Sequence, residues 1–127
     1  MRILFLFSFF FSFNFVFPQE CFPEKSKDKR LVKKIVKLIE KKAYYTALDE
    51  LRYTNNIAIF SALKSEILWS KADFFNAETE GLKVIANCPD NFPKVYYFLG
   101  EIAFNRKDYV SADLYLRMSI DLGIADP

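Results

Sequence analysis

The sequence predicts an all-α chain, an α-α superhelix of three helix hairpins with six helices. Three observations carry that expectation. The pattern Asp73-Phe74-x2-Ala77 returns as Asp108-Tyr109-x2-Ala112 at a distance of 35 residues, and self-similarity at such a period marks a helical repeat array. Apolar residues fall at helical spacing along the chain and are interrupted by turn residues at short intervals. Alternation of apolar and polar residues never persists for more than a few positions, and a two-residue hairpin signal such as Asn-Gly is absent.

The chain opens with Arg2 and an apolar run, Ile3 to Phe17, broken by Ser8, Ser12 and Asn14. A membrane span needs about 20 residues, so this run suits a secretory signal occupying residues 1–19, with the cut placed near Gln19. The alternative is an uncleaved N-terminal anchor, which would be the chain's one membrane contact. Cys21 is a poor site for a lipid anchor, because Pro18, Gln19 and Glu20 stand where a lipoprotein signal has a small residue. Eight of the 15 phenylalanines lie in this segment, so the phenylalanine richness is mostly a targeting property. The expected destination is the periplasm or the outer membrane.

Residues 20–28 read as a polar linker. Leu31, Ile35, Leu38 and Ile39 then form one apolar stripe, placing a first helix from about Asp28 to Lys42 with Asp28 as its N-cap. A turn at Ala43 to Tyr45 leads to a second helix through Tyr53, and Asn55-Asn56 ends that pattern. A third helix runs from Ile57 to Trp69. Asp73 caps a fourth, which Cys88-Pro89-Asp90-Asn91 terminates, since proline cannot continue a helix. Pro93 opens the fifth, Asp108 caps the sixth, and Gly123 closes it with the left-handed conformation common at helix ends. The hairpins span about 29–56, 58–91 and 93–124.

Charge and cysteine content narrow the chemistry. Without Arg2 the chain holds 17 basic and 16 acidic residues, which gives no electrostatic case for nucleic acid. The distribution is uneven: residues 24–42 hold nine Lys or Arg against three acids, and residues 43–127 hold eight against twelve. A basic first helix suits an acidic partner or an anionic surface, or is a solvated face. Cys21 and Cys88 either pair in an oxidising compartment or remain two free thiols. With no histidine, a structural zinc site lacks its usual ligands.

Aligned on their turns, the hairpins resemble tetratricopeptide repeats. The third carries the signature most fully, in Tyr96, Leu99, Gly100, Ala103, Tyr109, Ala112 and Leu116. The second has Ser65 in place of glycine, then Phe74, Ala77 and Pro89. The first keeps Tyr44, Ala47 and Leu51, has Ile35 at the small position, and lies only 30 residues before the second. The resemblance implies that Gly100 and Ala112 let paired helices approach, that Ala103 packs on the neighbouring hairpin, and that Tyr109 and Leu116 plug gaps between hairpins. It also implies a concave groove lined by the first helix of each hairpin. The matching residues are Ile59, Ala62, Glu66, Trp69 and Ser70 in the second repeat, and Lys94, Tyr97, Glu101, Phe104 and Asn105 in the third. Trp69 and Phe104 share one repeat position and are expected to stack along the groove as partner contacts. A subgroup of the family grips C-terminal carboxylates; here Lys94 matches, but Glu66 and Glu101 replace asparagine and Phe98 replaces arginine, which disfavours that ligand.

An enzyme needs an acid, a base, a nucleophile or a metal. The chain offers no histidine, no glycine-rich phosphate loop and no serine in an elbow, and Glu78 and Glu80 stand too close in sequence to face each other on a helix. The expectation is a non-catalytic scaffold, without cofactor or metal, that binds a peptide or protein partner. The run from Cys88-Pro89-Asp90 through Tyr96-Tyr97-x-Leu99-Gly100-Glu101-Ile102, with the signal and Asp126-Pro127, also resembles the N-terminal repeat region of longer Bacteroidetes envelope proteins. Those continue into a β-propeller and an OmpA-like domain, and some serve type IX secretion; neither domain is in these residues, so peptidoglycan binding is not carried over. Leu114, Leu116, Met118, Ile120 and Leu122 leave the last helix without an amphipathic cap, so self-association, or a fragment of a longer envelope protein, is the alternative.

Overall fold

Among the described residues six helices follow one another through short turns: α1 Ser26–Glu40, α2 Tyr44–Leu51, α3 Ala58–Ser70, α4 Phe74–Asn87, α5 Pro93–Asn105 and α6 Tyr109–Asp121. The computed structural model describes residues 19–124. The apolar run read as a signal and the Asp126-Pro127 pair lie outside the described residues. Successive helices pair as three hairpins, and α1, α3 and α5 also touch in sequence, so the hairpins stack in a line. Among the described residues the extended pairing is limited to one isolated parallel bridge, between Glu20 and Ile57. No described helix is long and apolar enough to cross a membrane.

Local chemistry explains most helix ends. Asp73 accepts a hydrogen bond from the Asn76 amide at 3.4 Å, and Asp108 accepts one from the Ser111 amide at 3.2 Å, so each caps a free amide of the first turn. Pro93 occupies the first turn of α5, where its missing N–H is no loss. At the other ends, Lys42, Ala72 and Lys107 adopt φ of 59°, 62° and 65°. In each case the left-handed residue's amide reaches the carbonyl three back, and the next amide reaches five back, as in Ala43 to Leu38, Asp73 to Leu68 and Asp108 to Ala103. These three turns lie 30 and 35 residues apart, the same intervals as the Ala47, Ala77 and Ala112 series. Gly123, at φ 102°, closes α6 the same way.

The first helix departs from expectation. It starts at Ser26, and Asp28 lies inside its first turn rather than at the cap. Asp28 is buried and accepts a hydrogen bond from Asn55 Nδ2 at 3.1 Å, so a tertiary partner holds it. α2 is also short, eight residues against 14 in α4, which accounts for the 30-residue interval.

Small residues set the packing of the later hairpins. A Cβ placed on Gly100 would stand 2.6 Å from Leu116 Cγ, so glycine is what lets α6 lie against α5. Leu116 therefore fills space inside its own hairpin, not between hairpins as expected. Ser65, fully buried at the equivalent position, donates from Oγ to the Ala77 carbonyl at 2.8 Å and ties α3 to α4. In the first hairpin the bulk of buried Ile35 fills that place. Ala47, Ala77, Ala103 and Ala112 are all buried. Tyr109 is 58 % exposed, because no described hairpin follows it to be plugged. Leu99 is buried in the cluster between the second and third hairpins, and Tyr96 donates from its hydroxyl to the Pro89 carbonyl at 2.8 Å. Burial, then Asp90 and Tyr115, push the Tyr96 phenol above its ordinary pKa.

The segment read as a linker is bound to the body. The Glu20 and Cys21 carbonyls accept from the amides of Ala58 and Ile59, at 2.6 and 3.2 Å, and so cap α3, which lacks a side-chain cap. Cys21 and Cys88 form a disulfide, with Cα atoms 5.9 Å apart. Gln19 is buried beside them and donates from Nε2 to Asn56 Oδ1 at 2.7 Å.

Candidate functional site

The face formed by α1, α3 and α5 carries the residues expected to bind a partner. Between α3 and the start of α5 lies a cleft of about 170 Å³ whose lining is mostly apolar, including Ile59, Ala62, Phe92, Val95 and Phe98. Glu66 and Lys94 stand at its rim, joined at 2.6 Å between Oε1 and Nζ. Lys94 is largely exposed, so the pair contributes under about 1 kcal/mol to stability and is free to exchange for a ligand's charges. Phe92 and Pro93 reach the cleft because the Cys88-Pro89 stop bends the chain back before α5 begins.

Trp69 flanks this cleft. Its ring stacks on Phe98 with centroids 4.8 Å apart, and Tyr97 meets it edge-on at 6.3 Å. Phe104 does not join that group: it is exposed and packs edge-on against Tyr109 at 5.6 Å. The expected Trp69 and Phe104 column is thus replaced by two separate clusters. The reason is local cover, since α5 supplies Phe98 over Trp69, while Phe104 has no described helix beyond it. Asn105 lines a different depression, of about 310 Å³, with Phe74, Phe75, Ile102 and Arg106. Glu101 is half-buried, and Ser70 is exposed.

The structure therefore brings together Ile59, Glu66 and Lys94, with Trp69 and Tyr97 adjoining through Phe98. It leaves Phe104 and Asn105 outside. Phe98, which stands where a carboxylate-gripping groove has arginine, lines the cleft, and so does Phe92, which the repeat positions did not include; its signal was its place directly before Pro93 at the start of α5. Glu66 accepts from Lys94 Nζ across the rim of the cleft.

A larger depression, of about 470 Å³, lies between α2 and α3, lined by Tyr45, Leu48, Arg52, Lys64 and Lys71 among others. Its cations are already served: Arg52 by Asp49 at 3.8 Å, Lys64 by Glu80 at 3.3 Å, and Lys71 over the Tyr45 ring at 4.0 Å. Size alone does not make it the better site, because the α3–α5 cleft pairs an apolar floor with convergent charges, the pattern of binding pockets.

No family model, curated protein or solved structure matches this chain.

Proposed function

We propose that this chain is an exported, non-catalytic scaffold of tetratricopeptide type that holds a peptide or protein segment against the α1, α3, α5 face, within a cell-envelope assembly. The α3–α5 cleft carries the proposal: Ile59, Ala62 and Phe98 accept an apolar side chain, while Glu66 and Lys94 offer charges of both signs to the ligand backbone or its flanking residues. Trp69 and Tyr97 add aromatic surface of the kind that dominates binding energy. Export is supported by the apolar run after Arg2 and by the Cys21–Cys88 disulfide, which suits an oxidising compartment.

The test is selection of a random peptide library against the full chain, followed by binding to variants. Peptides that bind through the groove lose at least about tenfold in affinity with Tyr97→Ala or Lys94→Glu and keep it with Val110→Glu, each variant retaining its helical circular dichroism. A library that yields nothing, or binders indifferent to Tyr97 and Lys94, overturns the groove reading.

A further inference from the structure

Two ion pairs bridge the second and third hairpins. Glu66 of α3 meets Lys94 at 2.6 Å, and Glu78 of α4 meets Arg106 Nη1 at 3.0 Å. At this junction the earlier hairpin supplies acids and the incoming one supplies bases.

The repeat register carries both halves of that arrangement to the ends of the stack. Moving Glu66 and Glu78 forward by 35 residues gives Glu101 and Asp113, acids again, on the outer side of the third hairpin. Moving Lys94 and Arg106 back by 65 residues gives Lys29 and Lys41, bases again, on the leading side of α1. The register is structural as well as sequential, because Lys41 and Arg106 each precede a left-handed turn residue, Lys42 and Lys107. Lys29, Lys41 and Asp113 are exposed, Glu101 is half-buried, and among the described residues Asp113 pairs with Arg117 at 3.0 Å on the same helix.

The packing positions support the same polarity. Phe98, which covers Trp69, corresponds to Lys33; Trp69 itself corresponds to exposed Phe104, beside exposed Tyr109. Lys33 of one copy is thereby set against the aromatic rings of another, where its stem packs and its ammonium faces the ring.

We infer that this protein self-associates head to tail, the basic leading side of α1 in one copy docking on the Glu101, Asp113, Phe104 and Tyr109 end of the next. A two-fold pairing of the trailing ends sets Glu101 and Asp113 against their own copies, and a two-fold pairing of the leading ends sets lysine against lysine; both are repulsive. Head-to-tail contact alone matches sign with sign. Such contact is heterologous, and copies that continue the line of the hairpins add without closing, so the product is an open-ended stack that lengthens the groove from copy to copy. This goes beyond the groove proposal and does not depend on it.

Sedimentation velocity of the full chain over a range of concentrations tests it. Wild type forms a ladder of sizes, with an association constant about tenfold lower at 0.15 M than at 0.01 M salt. Lys29→Glu with Lys41→Glu removes the leading side, and Glu101→Lys with Asp113→Lys removes the trailing one; each double variant alone is about tenfold weaker. An equimolar mixture of the two restores a ladder in which the variants alternate, because each acidic end then meets a basic one at both kinds of junction. Combining all four changes restores the ladder. A wild type that stays monomeric overturns the proposal. So does a strict two-copy complex, or association that survives salt and both reversals, which would trace it to apolar surface or to residues 3–17 instead.

Discussion

Ala72 sits at φ 62°, in a conformation that costs a residue with a Cβ about 1–2 kcal/mol, and Lys42 and Lys107 share the strain. Glycine relieves it but enlarges the unfolded ensemble, which takes back about half. Ala72→Gly is therefore expected to raise the unfolding free energy by about 0.5–1 kcal/mol, measured as a higher urea midpoint at unchanged slope. Gly100 has the opposite sign. A methyl group there overlaps the branch point of Leu116 at 2.6 Å, not a free side-chain end, so Gly100→Ala is expected to cost about 1–3 kcal/mol despite its better helix propensity. Adding Leu116→Ala relieves the overlap, and the two changes together then cost less than their sum, which a double-mutant cycle reads directly. Hydrogen bonds from the Ser111 side chain and amide, with Arg106 nearby, hold the Asp108 carboxyl below its ordinary pKa. A depressed folded value means the cap's contribution is present above the ordinary aspartate range and is lost as the pH falls through the lower, folded value. The Ser111 amide shift in an NMR titration is expected to report that midpoint, and a midpoint at or above the ordinary value of a free aspartate would contradict it.

Elements show which parts of the fold were legible in sequence. Asp73, Pro93, Asp108 and Gly123 mark helix ends by chemistry confined to one turn, and the structure uses each of them in that way. Asp28 has the same chemistry, but Asn55 reaches it from 27 residues away, and no local rule announces such a partner. Pairing of Cys21 with Cys88 was one of two readings open in the sequence, but the docking of residues 19–21 on α3 had no signal, because those bonds are made by backbone carbonyls, which every residue type carries. The groove shows a similar division, because repeat position found Ile59, Glu66 and Lys94, while the cover over Trp69 depended on which helix lies above it. Replacing Cys21 and Cys88 by serine opens a loop of 67 residues and is expected to lower stability by about 4 kcal/mol, read by thermal or urea unfolding. Hydrogen exchange adds a sharper check: the Ala58 and Ile59 amides should lose protection in that variant before the centre of α3 does.

At the scale of the whole molecule, stability and assembly depend on charge differently. Each ion pair among the described residues has an exposed base, so 1 M salt is expected to change the unfolding free energy by less than about 1 kcal/mol. Denaturant unfolding at low and high salt checks this, and a large loss would mean these pairs hold the hairpins together. Apolar burial does that work: Ile35, Ile67 and Leu99 are almost wholly enclosed, each side chain contributing roughly 2 kcal/mol. The N-terminal strap also imposes an order in time. Its cysteine's partner lies 67 residues later, so at about 5–20 residues per second the ribosome needs several seconds to deliver it. During that delay the hairpin of α1 and α2 can form from local contacts, while α3 emerges with its first amides still bare. Completion of the second hairpin, oxidation and docking of residues 19–21 then become late and coupled events, and a chain caught before them presents the start of α3 to any peptidase or chaperone it meets.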